Sequence, residues 1–193
     1  MTLIIAEAGV NHNGKEALAF QLVEAAVESG ANVVKFQTFK AKNLVVKGVP
    51  QADYQLENTG TMESQYEMLS RLELSYDTHH RLVDYCNKLS IEFLSTAFDS
   101  ESLKFLVNDL GLTRLKIPSG ELTNAPLLLE HARTGCDLIV STGMANLSEI
   151  EAALGVIAFG YIADANTLPS IKAFEEAYCS QGGKDALRQK VHI

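Results

Sequence analysis

No apolar run in this sequence approaches the roughly 20 residues that a membrane-spanning helix needs, and Met1 leads directly into Leu3-Ile4-Ile5-Ala6 without the basic stretch that opens a secretory signal. A cytoplasmic protein is the expectation. Basic residues are the minority: 16 Lys and Arg against 24 Asp and Glu leave a formal net charge of -8. That balance removes the electrostatic basis for a broad nucleic-acid surface or a polybasic membrane anchor. Neither nucleic acid nor membrane is therefore an expected partner, and any anionic ligand must be held locally. Cysteine is scarce and scattered; Cys86, Cys136 and Cys179 are odd in number and far apart, which argues against a disulfide framework and leaves no CxxC pair for zinc. Three buried or half-buried thiols are expected. The five histidines show no HExxH spacing, and low-complexity tracts and interdomain linkers are missing too.

What is present is a globular composition, 193 residues with 47% hydrophobic and 21% charged, for which length alone suggests one compact domain. Short apolar segments bounded by polar or turn residues recur from Leu3 to Ala6, Asn32 to Phe36, Glu92 to Leu94, Arg114 to Ile117 and Asp137 to Val140. Each reads as a buried parallel strand. Between them, Leu18, Leu22, Ala25 and Ala26, and then Leu82, Cys86 and Leu89, recur at helical spacing. Gly30 and Gly135 stand at helix C-terminal positions, Asn124 with Pro126 suits a helix start, and Asn146 with Glu149 forms a capping-box pattern. Two connections are long, Thr38 to Thr78 and Gly160 to Lys190, the second carrying an extra helix from Ser170 to Cys179. Val191-His192-Ile193 looks like the opening of a sixth strand.

Repeated strand-helix units leave two architectures open, a doubly wound sheet or a (β/α)8 barrel. In either, the ligand lies at the carboxyl ends of the strands. Those ends carry Glu7, then Lys35 and Gln37, then Ser95 and Thr96, then Lys116, Ser119 and Glu121, then Ser141, Thr142 and Gly143. Glu7 suits an acid-base role or a structural pairing with lysine. Lys35 and Lys116 lie on otherwise apolar strands, where a charge is costly unless an anion or carboxylate meets it; for Lys35 the alternative is an ion pair with Glu7. Hydroxyls and glycine turns supply neutral donors. Five such ends in sequence describe one pole equipped for a multiply anionic ligand.

The segments Ile5-Ala6-Glu7-Ala8-Gly9-Val10-Asn11-His12-Asn13-Gly14, Lys35-Phe36-Gln37, Phe93-Leu94-Ser95-Thr96, Lys116-Ile117-Pro118-Ser119-Gly120-Glu121 and Ser141-Thr142-Gly143-Met144 resemble the sialic acid synthase family, the N-acetylneuraminate synthases and their relatives. Glu67-Met68-Leu69, Leu72-Glu73-Leu74 and Ala158-Phe159-Gly160-Tyr161 follow in the family's order. The resemblance implies a TIM-barrel transferase of carbohydrate biosynthesis. It would condense phosphoenolpyruvate with N-acetylmannosamine, its phosphate or a related diamino sugar, giving a nine-carbon 2-keto acid and phosphate. Carried over residue by residue, it implies that Lys35, Thr96, Lys116, Ser119 and Ser141 hold phosphoenolpyruvate. It further implies that Gln37, Asn58 and Glu121 contact the sugar and that Glu7 is the carboxylate near the reacting centre.

The resemblance also implies parts that this sequence does not contain: the remaining barrel strands with two metal-binding histidines and an aspartate, and a C-terminal antifreeze-like domain that is normally swapped across a homodimer. The divalent metal of the family, Mn2+, Mg2+ or Co2+, therefore has no expected ligands here, and His12 suits a turn hydrogen bond better than a metal. Residues 1-193 are expected to form a partial TIM-barrel domain, about five strand-helix units plus the start of a sixth strand, in a truncated chain of impaired activity. A barrel of this kind typically takes about 250 residues. Two other readings stay open, a Schiff-base aldolase or lyase using Lys116 and a non-catalytic fragment or interaction module.

Overall fold

A computed structural model of the chain describes residues 2-47 and 64-193. The chain divides into two compact units, residues 1-102 and 103-193, each built from parallel strands alternating with helices.

The first unit runs β1 (Ile5–Gly9), α1 (Glu16–Glu28), β2 (Val33–Thr38), α2 (Ala41–Leu44), α3 (Gln65–Leu72), α4 (Tyr76–Lys88) and β3 (Glu92–Ala97). Its strands lie in the order β1-β2-β3 and pair in parallel, with Glu7 opposite Lys35 and Gln37 opposite Thr96. All three strands run further toward their carboxyl ends than the apolar pattern indicates, because backbone pairing continues through the polar residues Glu7, Gln37, Thr38, Ser95 and Thr96. The first also starts later: Leu3 and Ile4 are exposed, and pairing begins with Ile5 opposite Val33.

Alternation along β2 and β3 puts Phe36, Thr38, Phe93 and Ser95 on one face and Lys35, Gln37 and Thr96 on the other. On the first face Phe36 stacks on Phe93 at 5.6 Å, and His79 of α4 meets the edge of Phe93 at 6.3 Å. Leu82 and Cys86 of α4 are fully buried, as their spacing suggests. The buried stripe of α1 is Ala19, Val23 and Ala26, one position along from the expected Leu18, Leu22, Ala25. Of the expected set only Ala26 is buried; small residues on the inner face let α1 approach closely, and the leucines flank it half-buried. Serines set the starts of α3 and α4: Ser64 forms a capping box with Glu67, and Ser75 Oγ accepts from Thr78 N–H at 3.1 Å.

A short helix, α5 (Ser100–Lys104), begins in the first unit, ends in the second and winds on into a π turn at Phe105–Asp109. There follow β4 (Arg114–Ile117), a 3-10 turn (Ser119–Glu121), α6 (Ala125–Arg133), β5 (Asp137–Val140), α7 (Leu147–Ile162), α8 (Ile171–Cys179), α9 (Gln181–Lys190) and β6 (Val191–His192). Both β4-β5 and β5-β6 pair in parallel. The Asn124 and Asn146 caps form as expected, the latter with Glu149 in a full capping box.

Helix α7 is apolar on nearly every side, the mark of a helix buried between layers. Its glycines make that possible: a Cβ on Gly160 would lie 2.5 Å from Ala132 Cβ of α6, and one on Gly155 would lie 3.0 Å from Phe174 O of α8. Phe159 and Phe174 close the α7-α8 contact edge to face at 5.2 Å. The extra helix α8 forms as expected, and Ser170 caps it, its Oγ accepting from Ala173 N–H at 3.2 Å. Helix α9 is an addition to the expected elements, since Gly182 and Gly183 in its first turn lower helix propensity. It forms because Ser180 Oγ caps Gly183 N–H at 3.0 Å, and only glycine fits there, a Cβ on Gly183 being 1.9 Å from Ala177 O.

Cys86 and Cys136 are buried, but Cys179, at the end of α8, is exposed, which corrects the expectation for that thiol. Burial pushes the Cys86 thiol up to about 12, so it is inert as a nucleophile at neutral pH. One thiol equivalent is therefore expected to react rapidly with Ellman's reagent in the native chain and three after denaturation. Fast reaction of two or three in the native chain contradicts this packing.

Candidate active site

At the carboxyl end of β1 the pairing with β2 slips by one residue between Glu7 and Gly9. This β-bulge re-aims the strand end, and Gly9 takes a φ of 53° to permit it. Glu7 forms an ion pair with Lys35 through Oε2. The lysine is buried, 8% exposed, whereas the glutamate side chain is 55% exposed. Of the two roles weighed for Lys35, the carboxylate pairing is formed. It engages one acceptor, and an ammonium carries three donors, so Lys35 keeps donors for an anion beside the pair. Gln37 and Thr96 stand beside Lys35 on the same strand face, in register with each other. The first unit therefore gathers Glu7, Lys35, Gln37 and Thr96 at one set of strand ends.

The opposite face of the same strands carries a buried hydrogen-bonded chain that sequence reasoning does not pick out. His79 Nδ1 lies 2.9 Å from the Ser75 carbonyl, which can only accept, so Nδ1 carries the proton and Nε2 is an acceptor. Thr38 Oγ1, 2.9 Å away, then donates to Nε2, and Ser95 Oγ donates to Thr38 Oγ1 at 2.7 Å. Each direction follows from the first. The chain ties β2 to β3 one residue from Gln37 and Thr96. Alternation alone places Thr38 and Ser95 together; His79, remote in sequence, has no such signal.

Beyond the strand ends, Asp99 accepts from Lys40 N at 3.0 Å, Asn43 Nδ2 at 3.1 Å, Ser102 N at 2.9 Å and Ser102 Oγ at 2.8 Å. Burial alone would raise this carboxyl, but those hydrogen bonds, led by Ser102, hold it below the usual range. Glu73 accepts from Lys40 Nζ at 2.8 Å and from Ala41 N at 3.0 Å. Together Asp99 and Glu73 pin the start of the long connection after β2. Asn58, the sugar contact expected within that connection, lies outside the described residues.

In the second unit, Lys116 Nζ donates to the Ile117 carbonyl at 3.0 Å. Ser119 opens the 3-10 turn, and Glu121 accepts from Asn124 Nδ2 at 2.9 Å, which ties its carboxylate to the start of α6. Ser141 follows β5, its N–H bonded to the Ile117 carbonyl at 3.0 Å. Lys116, Ser119, Glu121 and Ser141 are all half-buried, so none is sequestered from a ligand.

His12 is fully buried, and its Nδ1 accepts from Gly14 N–H at 3.0 Å, the turn role expected of it. Among the described residues no three His, Cys, Asp or Glu side chains gather to hold a metal ion. The residues described do not fit the family's divalent metal, and no step below is routed through one.

Burial lowers the pKa of His79 from 6.5 to about 4, and burial likewise lowers His12 and His131. A folded state that refuses protons the unfolded chain accepts is stabilised above the unfolded pKa and loses that stability as pH falls. The contribution is complete above pH 6.5 and drains away toward pH 4, about 3 kcal/mol for His79 alone. The urea midpoint is expected to be level from pH 8 to 7 and to fall steadily below 6.5, with a shallower fall in His79→Gln. A midpoint constant down to pH 4.5 contradicts the neutral-histidine chain.

Among known proteins, a family model described as NeuB family matches residues 22-179. The chain is 54% identical to an N,N'-diacetyllegionaminic acid synthase of Legionella pneumophila over 80% of this chain and 43% of the relative. It is equally identical to the Campylobacter jejuni protein of the same name, over 81% of this chain and 46% of that one. It thus spans less than half the length of these curated relatives. An N-acetylneuraminic acid synthetase of Leptospira borgpetersenii, solved with citrate, superposes with a TM-score of 0.68 at 30% identity, over 82% of this chain and 50% of that one. A truncated 3-deoxy-D-arabino-heptulosonate 7-phosphate synthase of Thermotoga maritima superposes with a TM-score of 0.56 at 12% identity, over 82% of this chain and 47% of that one, and so shares the fold alone. These neighbours decide between the two architectures. The fold is α/β, of the (β/α)8 TIM-barrel type, and among the described residues six strands are present where a closed barrel uses eight.

Proposed function

The chain belongs to the NeuB family, and on that footing we propose that it carries the phosphoenolpyruvate-binding part of an enzyme that condenses phosphoenolpyruvate with an acetamido sugar. The observation that supports this most is Lys35. A lysine 8% exposed within a strand, facing an open glutamate and flanked in register by Gln37 and Thr96, is a costly arrangement that an anionic ligand makes useful.

In this reading Lys35 and Thr96, with Lys116, Ser119 and Ser141 from the second unit, hold the phosphate and carboxylate of phosphoenolpyruvate. Gln37, Glu121 and Asn58 orient the sugar. C3 of phosphoenolpyruvate attacks the open-chain aldehyde carbon, forming the new C–C bond while the aldehyde oxygen gains a proton. Water adds at C2, and the resulting tetrahedral centre expels phosphate by C–O cleavage to leave the 2-keto acid. Glu7, paired to Lys35 and open to solvent, takes the proton from the attacking water or passes one to the aldehyde oxygen. The family's divalent metal and the homodimer partner belong to the same proposal, with ligands and contacts outside the described residues.

The sugar that fits best follows from the names of the relatives. A diacetyl legionaminic acid holds two acetyl groups, and phosphoenolpyruvate supplies three carbons and no nitrogen. Both acetamido groups must then enter with the six-carbon aldehyde, which points to a diacetamido sugar rather than N-acetylmannosamine.

Phosphoenolpyruvate labelled with 18O at the bridging position tests the chemistry. Incubated with the sugar and Mn2+, it should release phosphate slowly, as a chain of impaired activity, and only when sugar is present, with the label leaving on phosphate. Label retained in the organic product, or borohydride trapping of pyruvate on Lys116, would instead establish a different reaction, the latter a Schiff-base lyase.

A further inference from the structure

Behind Gln37 and Thr96, on the opposite face of the strands, lies a hydrogen-bonded chain in which every proton is committed. His79, Thr38 and Ser95 are each no more than 1% exposed. Because His79 Nδ1–H is given to the Ser75 carbonyl, Nε2 is an acceptor; Thr38 Oγ1 donates its one proton there at 2.9 Å, and Ser95 Oγ donates its own to Thr38 at 2.7 Å. Neither hydroxyl keeps a second orientation, so the histidine at the end of the chain fixes both. The imidazole is itself held edge-on by Phe93 at 6.3 Å and Tyr76 at 6.5 Å.

The face toward the proposed ligand is built differently. Among the described residues neither Gln37 nor Thr96 has a side-chain hydrogen-bond partner, so the backbone alone sets where they stand. That backbone is near the end of its ladder, since β2-β3 pairing stops one residue further on, at Thr38 opposite Ala97. A ladder fixes the spacing of two strands and leaves their twist variable. The chain adds what the ladder lacks, a side-chain tie across the strands from Thr38 to Ser95 and a tie to α4 through His79. Thr38 and Ser95 are the sequence neighbours of Gln37 and Thr96, so holding the first pair holds the second. We propose that His79 is a positioning residue for the phosphoenolpyruvate site, acting through Thr38 and Ser95 to hold the ends of β2 and β3 from behind. This rests on the reading that Lys35 and Thr96 hold phosphoenolpyruvate.

Two variants of the histidine separate positioning from packing. In His79→Gln the side-chain amide reaches the place of Nε2 and still offers Thr38 an acceptor. In His79→Asn it reaches only the place of Nδ1, which keeps the Ser75 contact and loses Thr38. Both replace a buried ring by a smaller group, so both should lower the urea midpoint by similar amounts. Calorimetric titration with phosphoenolpyruvate should nevertheless divide them. His79→Gln should bind within about twofold of the unaltered chain, and His79→Asn about fivefold or more weaker, the equivalent of one lost hydrogen bond. Thr38→Val keeps the branched shape and removes the link, and should match His79→Asn.

Phosphoenolpyruvate affinity unchanged in His79→Asn and Thr38→Val overturns the proposal. Affinity lost equally in His79→Gln and His79→Asn, in step with their urea midpoints, also overturns it, since a purely structural histidine gives that result. Should either histidine variant fail to fold, Thr38→Val against the unaltered chain decides alone. An unaltered chain that binds phosphoenolpyruvate, with no division among the variants, leaves the functional reading standing without the positioning role. An unaltered chain that binds none overturns the functional reading and the proposal with it.

Discussion

Lys35→Met should abolish most phosphoenolpyruvate binding while leaving the chain folded. The lysine ammonium is the buried charge of the first unit's strand ends, and a charge-assisted contact to a phosphate or carboxylate in such a place is worth about 3 kcal/mol, on the order of a hundredfold in Kd. Folding survives because the partner left behind, Glu7, is 55% exposed and keeps its water. The methionine chain also replaces the buried aliphatic stem. Glu7→Gln is the complementary change. It removes the carboxylate that competes for Lys35, so phosphoenolpyruvate should bind as well or better while turnover falls. Equilibrium dialysis with labelled phosphoenolpyruvate reads both, and a Lys35→Met chain that binds as tightly as the unaltered one would remove Lys35 from the site.

The second large effect is on stability. Gly14→Ala places a Cβ 2.0 Å from the Arg71 carbonyl oxygen and 3.2 Å from its carbonyl carbon, at a φ of 72°. The clash is with backbone, so relief requires the turn after β1 to separate from the end of α3. We expect a loss of about 3 kcal/mol or more in urea denaturation, since overpacking adds to left-handed strain. Gly30→Ala carries the strain alone, at a φ of 77° with nothing within 4 Å of the added Cβ, and should cost about 1 kcal/mol. Equal losses at the two positions would show that the Gly14 contact is not tight. The neighbouring residue tolerates the same conformation without glycine: Asn13 has a φ of 50°, which asparagine adopts more readily than most side chains.

What could be read from the chain beforehand follows a physical division. Caps are local, one side chain reaching one N–H within three residues, and Asn124 and Asn146 act as their spacing indicates. Apolar strand centres are also legible, because burial on both faces demands continuous hydrophobic runs. Hydrophobicity stops short where strands carry function. Gln37, Thr38, Ser95 and Thr96 are strand residues by backbone pairing and polar by chemistry. Those polar ends were legible as one pole suited to an anionic ligand, and the resemblance to a family gives each residue there its expected role.

Contacts distant in sequence were the least legible. Nothing near His79 signals that its ring accepts a hydrogen bond from Thr38, 41 positions away, or that Asp99 reaches back to Lys40, 59 positions away. The inner stripe of α1 was displaced by one residue because close approach selects Ala19 and Ala26 over larger leucines. Helix α9 escaped notice because Gly182 and Gly183 are poor for an isolated helix, and the second of them is required by its contact with α8.

Calorimetric titration of the unaltered chain with phosphoenolpyruvate tests the central claim most directly. The account predicts saturable binding at one site per chain, weakened by inorganic phosphate as a competitor and not reproduced by pyruvate, which lacks the phosphate that Lys35 and its neighbours are proposed to hold. Titration heats that never saturate, or pyruvate binding as tightly as phosphoenolpyruvate, would contradict it.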